Sequence, residues 1–569
     1  MEWIETPGCK DVYKTAIDIG YSNIVAELLS KKISDVSKLA NYIEPKIKNL
    51  MPNPLTITDM VKGSEYLFEA IKQKRNIAIF GDYDVDGACS SAILARYLKY
   101  FDIDAKIYIP DRIMEGYGPN INALRSLKDE GYDLIITVDC GTTAFDALEE
   151  ASKEGLDVLV VDHHLSEAKI PEAIAVINPN RQDDDSNLGF LCGAGVCFML
   201  IVAVNQLFKS RPESSESRSE IPNVLILLDL VALATVCDVV PLVELNRAFV
   251  NYGLRLMQLT QNPGLRELFS VANIDMRKKI KSYHLGFVIG PRINAGGRVG
   301  KSTIAAELLS QSENVHDLSV KLDYFNKERR AIEQIVLEKA FEQINQQNLS
   351  ENKVIIVANE NWHPGVIGIV ASRIKEKYQK PTAVIALENN IGKASARSVE
   401  GINLGAFIHK AKSQDLLIAG GGHAMAAGFT IAEDKISDFS NFMQTISDQA
   451  IQNAEYDLEL KLCDVNLNLY DELSIFEPYG KDNEEPIFKI ANLSLSKHFF
   501  MQEKHLKLLI VDKNTGVLGN KVESILWNFD QFDIWDKIQN QSFSVICKLE
   551  ESIWNGNRNI RLNILKFLF

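Results

Sequence analysis

The chain has 569 residues, of which 46% are hydrophobic and 24% charged, the composition of folded globular domains and not of a disordered or fibrous chain. At this length one core is too large, so three or four domains are expected. The formal net charge of −15 excludes a protein coated in basic surface, such as a histone-like DNA packager, yet leaves room for a local basic groove.

Residues Met1 to Lys10 carry two glutamates and no apolar core, so no signal peptide is expected there. Residues 1–55 read as a mixed helical lead-in that ends at Met51-Pro52-Asn53-Pro54. From 56 to 312 apolar strands (Ile77–Phe80, Leu134–Val138, Val158–Val161, Ile174–Ile177) alternate with helical stretches at Ala88–Tyr100, Asn122–Lys128 and Ala144–Glu154. Such alternation predicts an α/β domain with a parallel sheet and right-handed crossovers. Within it, Lys209–Ile221 is Ser-rich and reads as a flexible surface excursion. The longest apolar run, Val224–Val243, is interrupted by Asp229 and Asp238. Each costs about 2.5–3.5 kcal/mol at a bilayer centre, so a buried helix and not a membrane span is expected.

Apolar positions Leu318, Leu322, Phe325, Ile332, Ile335, Phe341 and Ile344 predict a long amphipathic helix over 313–350, joining two domains. A second α/β unit begins at Val354-Ile355-Ile356-Val357 and fills 351–450. Residues 455–569 shift to short alternating strands such as His505–Val511, Ser542–Lys548 and Ile560–Ile564, which predict a small β-barrel. The eight cysteines are dispersed without a C-x-x-C pair, as expected of a reducing cytoplasm, and Cys140 and Cys237 read as small buried hydrophobes.

The chemistry centres on Gly81-Asp82-Tyr83-Asp84-Val85-Asp86-Gly87, a loop between a strand and a helix, where open α/β sheets place their ligands. Three carboxylates at alternate positions of one tight loop repel each other unless a cation lies among them. Asp139 ends the strand Leu134–Val138, Asp162-His163-His164 ends Val158–Val161, and Asp238 closes the apolar helix. Any one of these has an ordinary explanation, such as a helix cap for Asp139; three of the four acidic sites on one sheet edge are hard to ascribe to chance. Carboxylates with imidazole suit Mn²⁺, with Mg²⁺ or Fe²⁺ the less favoured occupants.

In Asp84-x-Asp86, Asp139, Asp162-His163-His164 and Asp238 the chain resembles the DHH phosphoesterase superfamily. The blocks Gly290-Pro291-Arg292-Ile293-Asn294-Ala295-Gly296-Gly297-Arg298, Trp362-His363-Pro364-Gly365, Gly420-Gly421-Gly422-His423 and Pro478-Tyr479-Gly480 narrow the resemblance to its RecJ family of single-stranded-DNA-specific exonucleases. The resemblance implies a DHH catalytic domain, a DHHA1-type domain across the long helix, and a C-terminal OB-like barrel. It also implies two cations, one held by Asp84 and Asp139 with Asp82, the other by Asp86, Asp139, His163 and Asp238. Asp139 would bridge them, and His164 would face the scissile phosphate. The catalytic set is thus Asp84, Asp86, Asp139, His163, His164 and Asp238.

For substrate, Arg292, Asn294 and Arg298 lie in a Gly-rich block where guanidinium forks can meet phosphate. The resemblance adds Ser395 and Arg397 around a terminal phosphate with His423 beside it, and Arg112 with Tyr117 as a phosphate and base contact. His363 is expected to hold the turn before the helix Val366–Glu376, and Lys504, Lys507, Lys513, Lys521, Arg558 and Arg561 to form a basic face of the barrel. The implied activity is 5′-to-3′ hydrolysis of single-stranded DNA to nucleoside 5′-monophosphates in recombination and repair. A monomer without membrane attachment is expected, with a single-stranded-DNA-binding protein and a recombination helicase as partners. The alternatives are a phosphodiesterase for short oligonucleotides or cyclic dinucleotides, against which the terminal barrel counts, and a non-catalytic replication scaffold, against which the complete ligand set counts. Gly296-Gly297 departs from the family pattern, where at least one Ala is expected before Arg298.

Overall fold

The structure is a computed structural model that describes residues 3–111, 115–211, 221–446, 454–501, 505–514, 521–527, 532–554 and 556–569. The chain forms two compact units that do not follow its linear order. One gathers Met1–Asn53, Val239–Arg255 and Ile451–Phe569; the other gathers Pro54–Asp238 and Leu256–Ala450.

The second unit carries a five-stranded sheet in the order Lys106–Tyr108, Ile77–Gly81, Leu134–Val138, Asp157–Val161, Ala175–Ile177, with every pair parallel. The short edge strand Lys106–Tyr108 adds to the four legible in the sequence; its three residues are only half-buried and leave no apolar run to read. The strand Ile77–Gly81 sits where the order reverses, so its loop and that after Leu134–Val138 open onto the crevice at the topological switch point. The central strands are buried throughout because helices cover both faces. One of these, Gly193–Ser210, is long and apolar enough to cross a membrane by length and composition, but 67% of it is buried within the protein, as befits a core helix. The run from Val224 is a 3₁₀ turn followed by the helix Leu228–Cys237, whose first eight residues are buried. Most of the Ser-rich stretch 209–221 lies outside the described residues.

The long helix spans Val315–Gln346 and packs on the helices Gly290–Val299 and Ile367–Tyr378. Its buried stripe departs from the expected apolar one. Ile335 is 54% exposed, whereas Asn326, Arg329 and Glu333 are buried and bonded to one another, Arg329 donating to both. Polar side chains thus occupy the middle of the stripe, with Arg329 bridging Asn326 and Glu333, which apolar periodicity does not register. Beyond it a second sheet runs Ala419–Gly422, Ala426–Ala432, Ile391–Arg397, Thr382–Glu388, Ile355–Glu360, antiparallel except for its last pair.

In the other unit, Phe488–Met501, His505–Asp512, Lys521–Leu526, Asn557–Leu568 and Phe543–Trp554 pair in succession, and the last pairs back with the first to close a five-stranded barrel. The N-terminal segment is not a separate lead-in in its packing. Val12, Ala16, Val25, Leu28 and Leu29 share one apolar cluster with barrel residues such as Phe488, Val545 and Leu562, and Trp3–Glu5 pairs in parallel with Ala454–Tyr456. Arg247, from the inserted segment, is 1% exposed in this unit. Its guanidinium donates to the carbonyls of Tyr42 (3.1 Å), Ile475 (2.9 Å) and Phe476 (3.1 Å) and lies 4.1 Å from the Tyr42 ring centroid.

Candidate metal centre

The centre is built from strand ends, one helix start and the end of the helix Leu228–Cys237. Asp84 caps the helix Val85–Tyr100, its Oδ1 accepting the amides of Asp86 (2.9 Å) and Gly87 (3.1 Å). A Cβ at Gly87 would stand 2.4 Å from the Asp82 carbonyl oxygen, so the loop closes this tightly only around glycine. Asp86 is buried and faces the start of Gly193–Ser210, where it accepts the amides of Gly193 (2.6 Å) and Ala194 (2.8 Å). The positive end of that helix orients the carboxylate. Gly193 also leaves room for it: a Cβ there would lie 3.0 Å from Asp139 Cβ and 3.1 Å from Asp86 Oδ2.

Asp139 is buried in the left-handed backbone region at φ +59°, a conformation non-glycine residues adopt at a cost and often at functional sites. Its amide donates to the Val161 carbonyl (3.0 Å), while its buried Oδ1 has no hydrogen-bond donor among the described residues. His163 Nε2 lies 3.2 Å from that oxygen and 3.6 Å from both Asp86 Oδ2 and Asp238 Oδ2. Asp162 organises the turn. It accepts the amides of Thr142 (3.0 Å), His163 (2.7 Å) and His164 (3.2 Å) and the His164 Nδ1–H (2.8 Å). Asn178 Nδ2 braces the same turn through the His164 carbonyl and Thr142 Oγ1, both at 2.8 Å.

The electrostatics separate two kinds of aspartate. Burial and the crowd of neighbouring carboxylates push Asp139 well above the usual carboxylate range, and burial with the Asp84 charge raises Asp86. Asp162, although equally buried, is held low by the His164 hydrogen bond and charge and by Thr142. In return, against the opposing effect of burial, Asp162 lifts His164 to about 9. Carboxylates held above their usual range by burial and mutual repulsion are the environment a metal ion relieves.

Donor atoms of Asp82, Asp84 and Asp139 lie within 4.8 Å of one another; so do those of Asp86, His163 and Asp238, and those of Asp139, His163 and His164. Hard oxygens with one imidazole, and a buried Asp139 oxygen lacking a donor, fit a divalent cation.

The other predicted residues fall into three places. Tyr117 stands beside the centre, half-exposed, its hydroxyl donating to the Asp139 carbonyl (3.1 Å) and its ring edge-on to His164 at 5.7 Å; Arg112 lies outside the described residues. Arg298, Ser395 and Arg397 line one cavity of about 460 Å³ with Lys393, Gly365 and Gly368. Arg397 Nη1 donates to Ser395 Oγ and Arg298 Nη1 to the Gly365 carbonyl, both at 3.0 Å. His423 is exposed and is not among the residues lining this cavity, although Gly422 is. Arg292 and Asn294 are tied to the scaffold: Arg292 Nε pairs with Asp323 Oδ1 at 3.0 Å, and Asn294 Oδ1 accepts the Val85 amide at 3.1 Å. Gly297 explains the unusual Gly-Gly pair, since a Cβ there would press on the Tyr83 carbonyl oxygen at 3.0 Å. His363 Nδ1 accepts the Gly365 amide at 3.0 Å and so holds its turn.

The expected basic barrel face is neutralised at several points. Lys507 pairs with Glu523 and Arg561 with Glu550, both at 2.9 Å, and Arg558 pairs with Asp471 and Glu551. Lys504 lies outside the described residues. Sequence reasoning also missed Asp162 as the organiser and Gly193-Ala194 as the Asp86 seat; a Gly-Ala-Gly start on a long buried helix was the available signal.

The family model of the DHH family N-terminal domain matches residues 76–235, that of the DHHA1 domain 351–448, and that of the RecJ OB domain 456–566. The chain is 34% identical to the single-stranded-DNA-specific exonuclease RecJ of Haemophilus influenzae, over 90% of this chain and 91% of that protein. It is 30% identical to the protein of the same name from Bacillus subtilis, over 99% of this chain and 70% of that one. The crystal structure of RecJ in complex with Mn²⁺ from Thermus thermophilus superposes with a TM-score of 0.83 at 26% identity, covering all of this chain and 79% of that one. A switch-point sheet edge gathering these aspartates and histidines, a second sheet bearing the arginine pocket, a closed C-terminal barrel and near full-length relatives lead to one conclusion: the chain belongs to the RecJ family of DHH phosphoesterases.

Proposed function

We propose that the protein is a metal-dependent exonuclease that hydrolyses single-stranded DNA from the 5′ end to nucleoside 5′-monophosphates, in the cytoplasm and in the service of recombination and repair. The observation that carries this is the convergence of the ligand groups on one sheet edge, with the Arg298–Ser395–Arg397 cavity in the same compact unit. Asp82, Asp84 and Asp139 would hold one cation and Asp86, Asp139, His163 and Asp238 a second, either Mn²⁺ or Mg²⁺. When bound, such a pair supplies activation of water at neutral pH and charge neutralisation at the scissile phosphate.

The protein's own groups select and orient the strand. Arg298 and Arg397 grip a 5′-terminal phosphate by charge and fork geometry, with Ser395 fixing the Arg397 guanidinium. His164, lifted to about 9 in the metal-free protein chiefly by its bond to Asp162 against the effect of burial, faces the next phosphate along. Tyr117, tied to the Asp139 carbonyl, offers its ring to the terminal base. Water adds to phosphorus and the bond to the 3′ oxygen of the terminal nucleotide breaks, so that nucleotide leaves with its 5′-phosphate and a 3′-hydroxyl. The shortened strand again begins with a 5′-phosphate, the group the arginine cavity takes, so each cut regenerates the substrate.

The test is degradation of a single strand labelled at one end or internally, with Mn²⁺ and with chelator. The reading expects labelled mononucleotide to appear first from the 5′ label, only with metal, and faster from a 5′-phosphate than from a 5′-hydroxyl. Release of the 3′ label first, or equal rates with chelator, overturns it.

A further inference from the structure

The segment 275–289 is absorbed by neither the metal centre nor the phosphate cavity, and it has two unusual properties. Its backbone forms a six-residue π-helix, His284–Ile289, a rare conformation that recurs at functional sites. On it Tyr283 and Phe287 stand 61% and 69% exposed and stack on each other, ring centroids 5.3 Å apart at 23°. Two large aromatic rings so exposed gain little from burial in the folded chain, and a core role does not account for them.

Their surroundings point to one ligand class. The preceding residues, Arg277-Lys278-Lys279-Ile280-Lys281, carry four basic side chains, of which Arg277 pairs with Asp275 at 2.9 Å, in a chain whose formal charge is −15. The run is anchored and not a loose tail: Ile280 is 2% exposed, Gln258 donates to the Lys278 carbonyl at 2.9 Å, and His284 Nδ1 accepts the Lys281 amide at 2.9 Å. The π-helix is seated directly on the residues leading into Asp238. A Cβ at Gly290 would lie 2.5 Å from Cys237 Sγ, one at Gly286 3.5 Å from Val236 Cγ1, and Cys237 Sγ donates to the Leu285 carbonyl at 3.4 Å. The next helix, Gly290–Val299, holds the metal loop through Asn294 and ends at the phosphate-cavity arginine Arg298.

We propose that Tyr283 and Phe287 form a base-stacking platform for single-stranded nucleic acid beside the metal centre, with the 277–281 basic run meeting the phosphates of the same nucleotides. A pair of stacked rings presents an outer face on which bases continue the pile, and stacking accepts any sequence because every base has a π-face. The platform holds strand that has not yet reached the cations, and so governs affinity and processivity and not bond cleavage. This rests on the single-strand nuclease reading above.

The test compares wild-type full-length protein with Tyr283→Ala/Phe287→Ala, with Phe287→Trp, and with Lys278→Ala/Lys279→Ala. Affinity for a 5′-phosphorylated 20-mer is measured by fluorescence anisotropy, once with all bases present and once with a run of abasic positions, and cleavage of the same strands is followed with Mn²⁺. The double aromatic variant should lose roughly 10- to 100-fold in affinity for the base-bearing strand, with the rate at saturating strand unchanged, and should bind the abasic strand as wild type does. Phe287→Trp should retain affinity. The lysine pair should lower the slope of log affinity against log salt by about 0.7 per charge removed, while the aromatic pair leaves that slope unchanged. Wild-type affinity in the double aromatic variant, or an equal loss on base-bearing and abasic strands, overturns the platform. Wild-type protein that neither binds nor cuts single strands instead overturns the nuclease reading itself.

Discussion

Gly193→Ala is a one-carbon probe of the metal centre. The helix start donates two amides to Asp86, and the added Cβ would stand 3.0 Å from Asp139 Cβ and 3.1 Å from Asp86 Oδ2, where ordinary contact begins near 3.4 Å. Both aspartates must therefore give by a few tenths of an ångström. No backbone strain accompanies the change, since Gly193 lies outside the left-handed region, and alanine improves helix propensity by up to about 1 kcal/mol. Crowding offsets part of that gain, so net stability should stay within about 1 kcal/mol of wild type. The ligands themselves do not tolerate the shift. Displaced or reoriented supports of a metal site typically cost about 10- to 100-fold in affinity or activity, and misplacement of reacting groups by about 1 Å costs about 100-fold in rate. Mn²⁺ titration by electron paramagnetic resonance, nuclease rates at saturating Mn²⁺ and urea unfolding of the metal-free protein would be measured together. The expected pattern is unchanged unfolding with Mn²⁺ affinity down roughly 10- to 100-fold. Coincident Mn²⁺ titrations and equal rates for Gly193→Ala and wild type refute the assignment of Asp86 and Asp139 to a shared cation.

Other outcomes follow from the same geometry. Asp86 and Asp139 sit above their unfolded values, so in the metal-free protein they favour the native state at low pH and oppose it as pH rises past about 4. Cation binding must displace their protons, so the rise in melting temperature on adding Mn²⁺ should grow from pH 5 to pH 8; a pH-independent rise contradicts this. His164 at about 9 stabilises the native state in full below its ordinary 6.5 and loses that contribution as pH climbs through 9. Metal-free wild type should accordingly lose more stability between pH 7 and pH 10 than Asp162→Asn, and parallel curves would count against the ion pair. Arg247→Ala strips charged donors from three buried carbonyls and should destabilise its unit by about 3–5 kcal/mol. Four of the five tryptophans lie in that unit's segments, so fluorescence-detected urea unfolding in a Trp362→Phe background reports it; a midpoint unmoved by Arg247→Ala contradicts the estimate. Arg397→Ala should erase the preference for a 5′-phosphate over a 5′-hydroxyl end in cleavage assays, and a retained preference would place the terminal phosphate elsewhere.

The parallel sheet was legible because each central strand is a short apolar run ending in a functional aspartate, and the barrel because its strands alternate. The candidate ligand cluster was legible because several carboxylates and an imidazole at the ends of adjacent parallel strands converge on one sheet edge. What escaped reading involves backbone groups or distant partners. The seat of Asp86 is two amides 107 and 108 residues away, which no side-chain pattern announces. The Gly-rich block did not announce that Asn294 Oδ1 accepts the Val85 amide or that Arg292 Nε pairs with Asp323, since both partners are remote in sequence. The first fifty residues gave only helical periodicity, because their apolar face is completed by residues more than four hundred positions away.

That remoteness governs the order in which the protein can assemble on the ribosome. Thr6 meets Tyr456 across 450 positions, a gap that takes roughly 20–90 s to translate at about 5–20 residues per second. Through that interval Val12, Leu28 and Leu29 have no barrel to join, although every proposed cation ligand is synthesised before it closes. A message cut short before the barrel strands that begin at Phe488 would therefore yield a nascent hydrolase whose opening helices stay sticky, a natural target for chaperones and quality-control proteases.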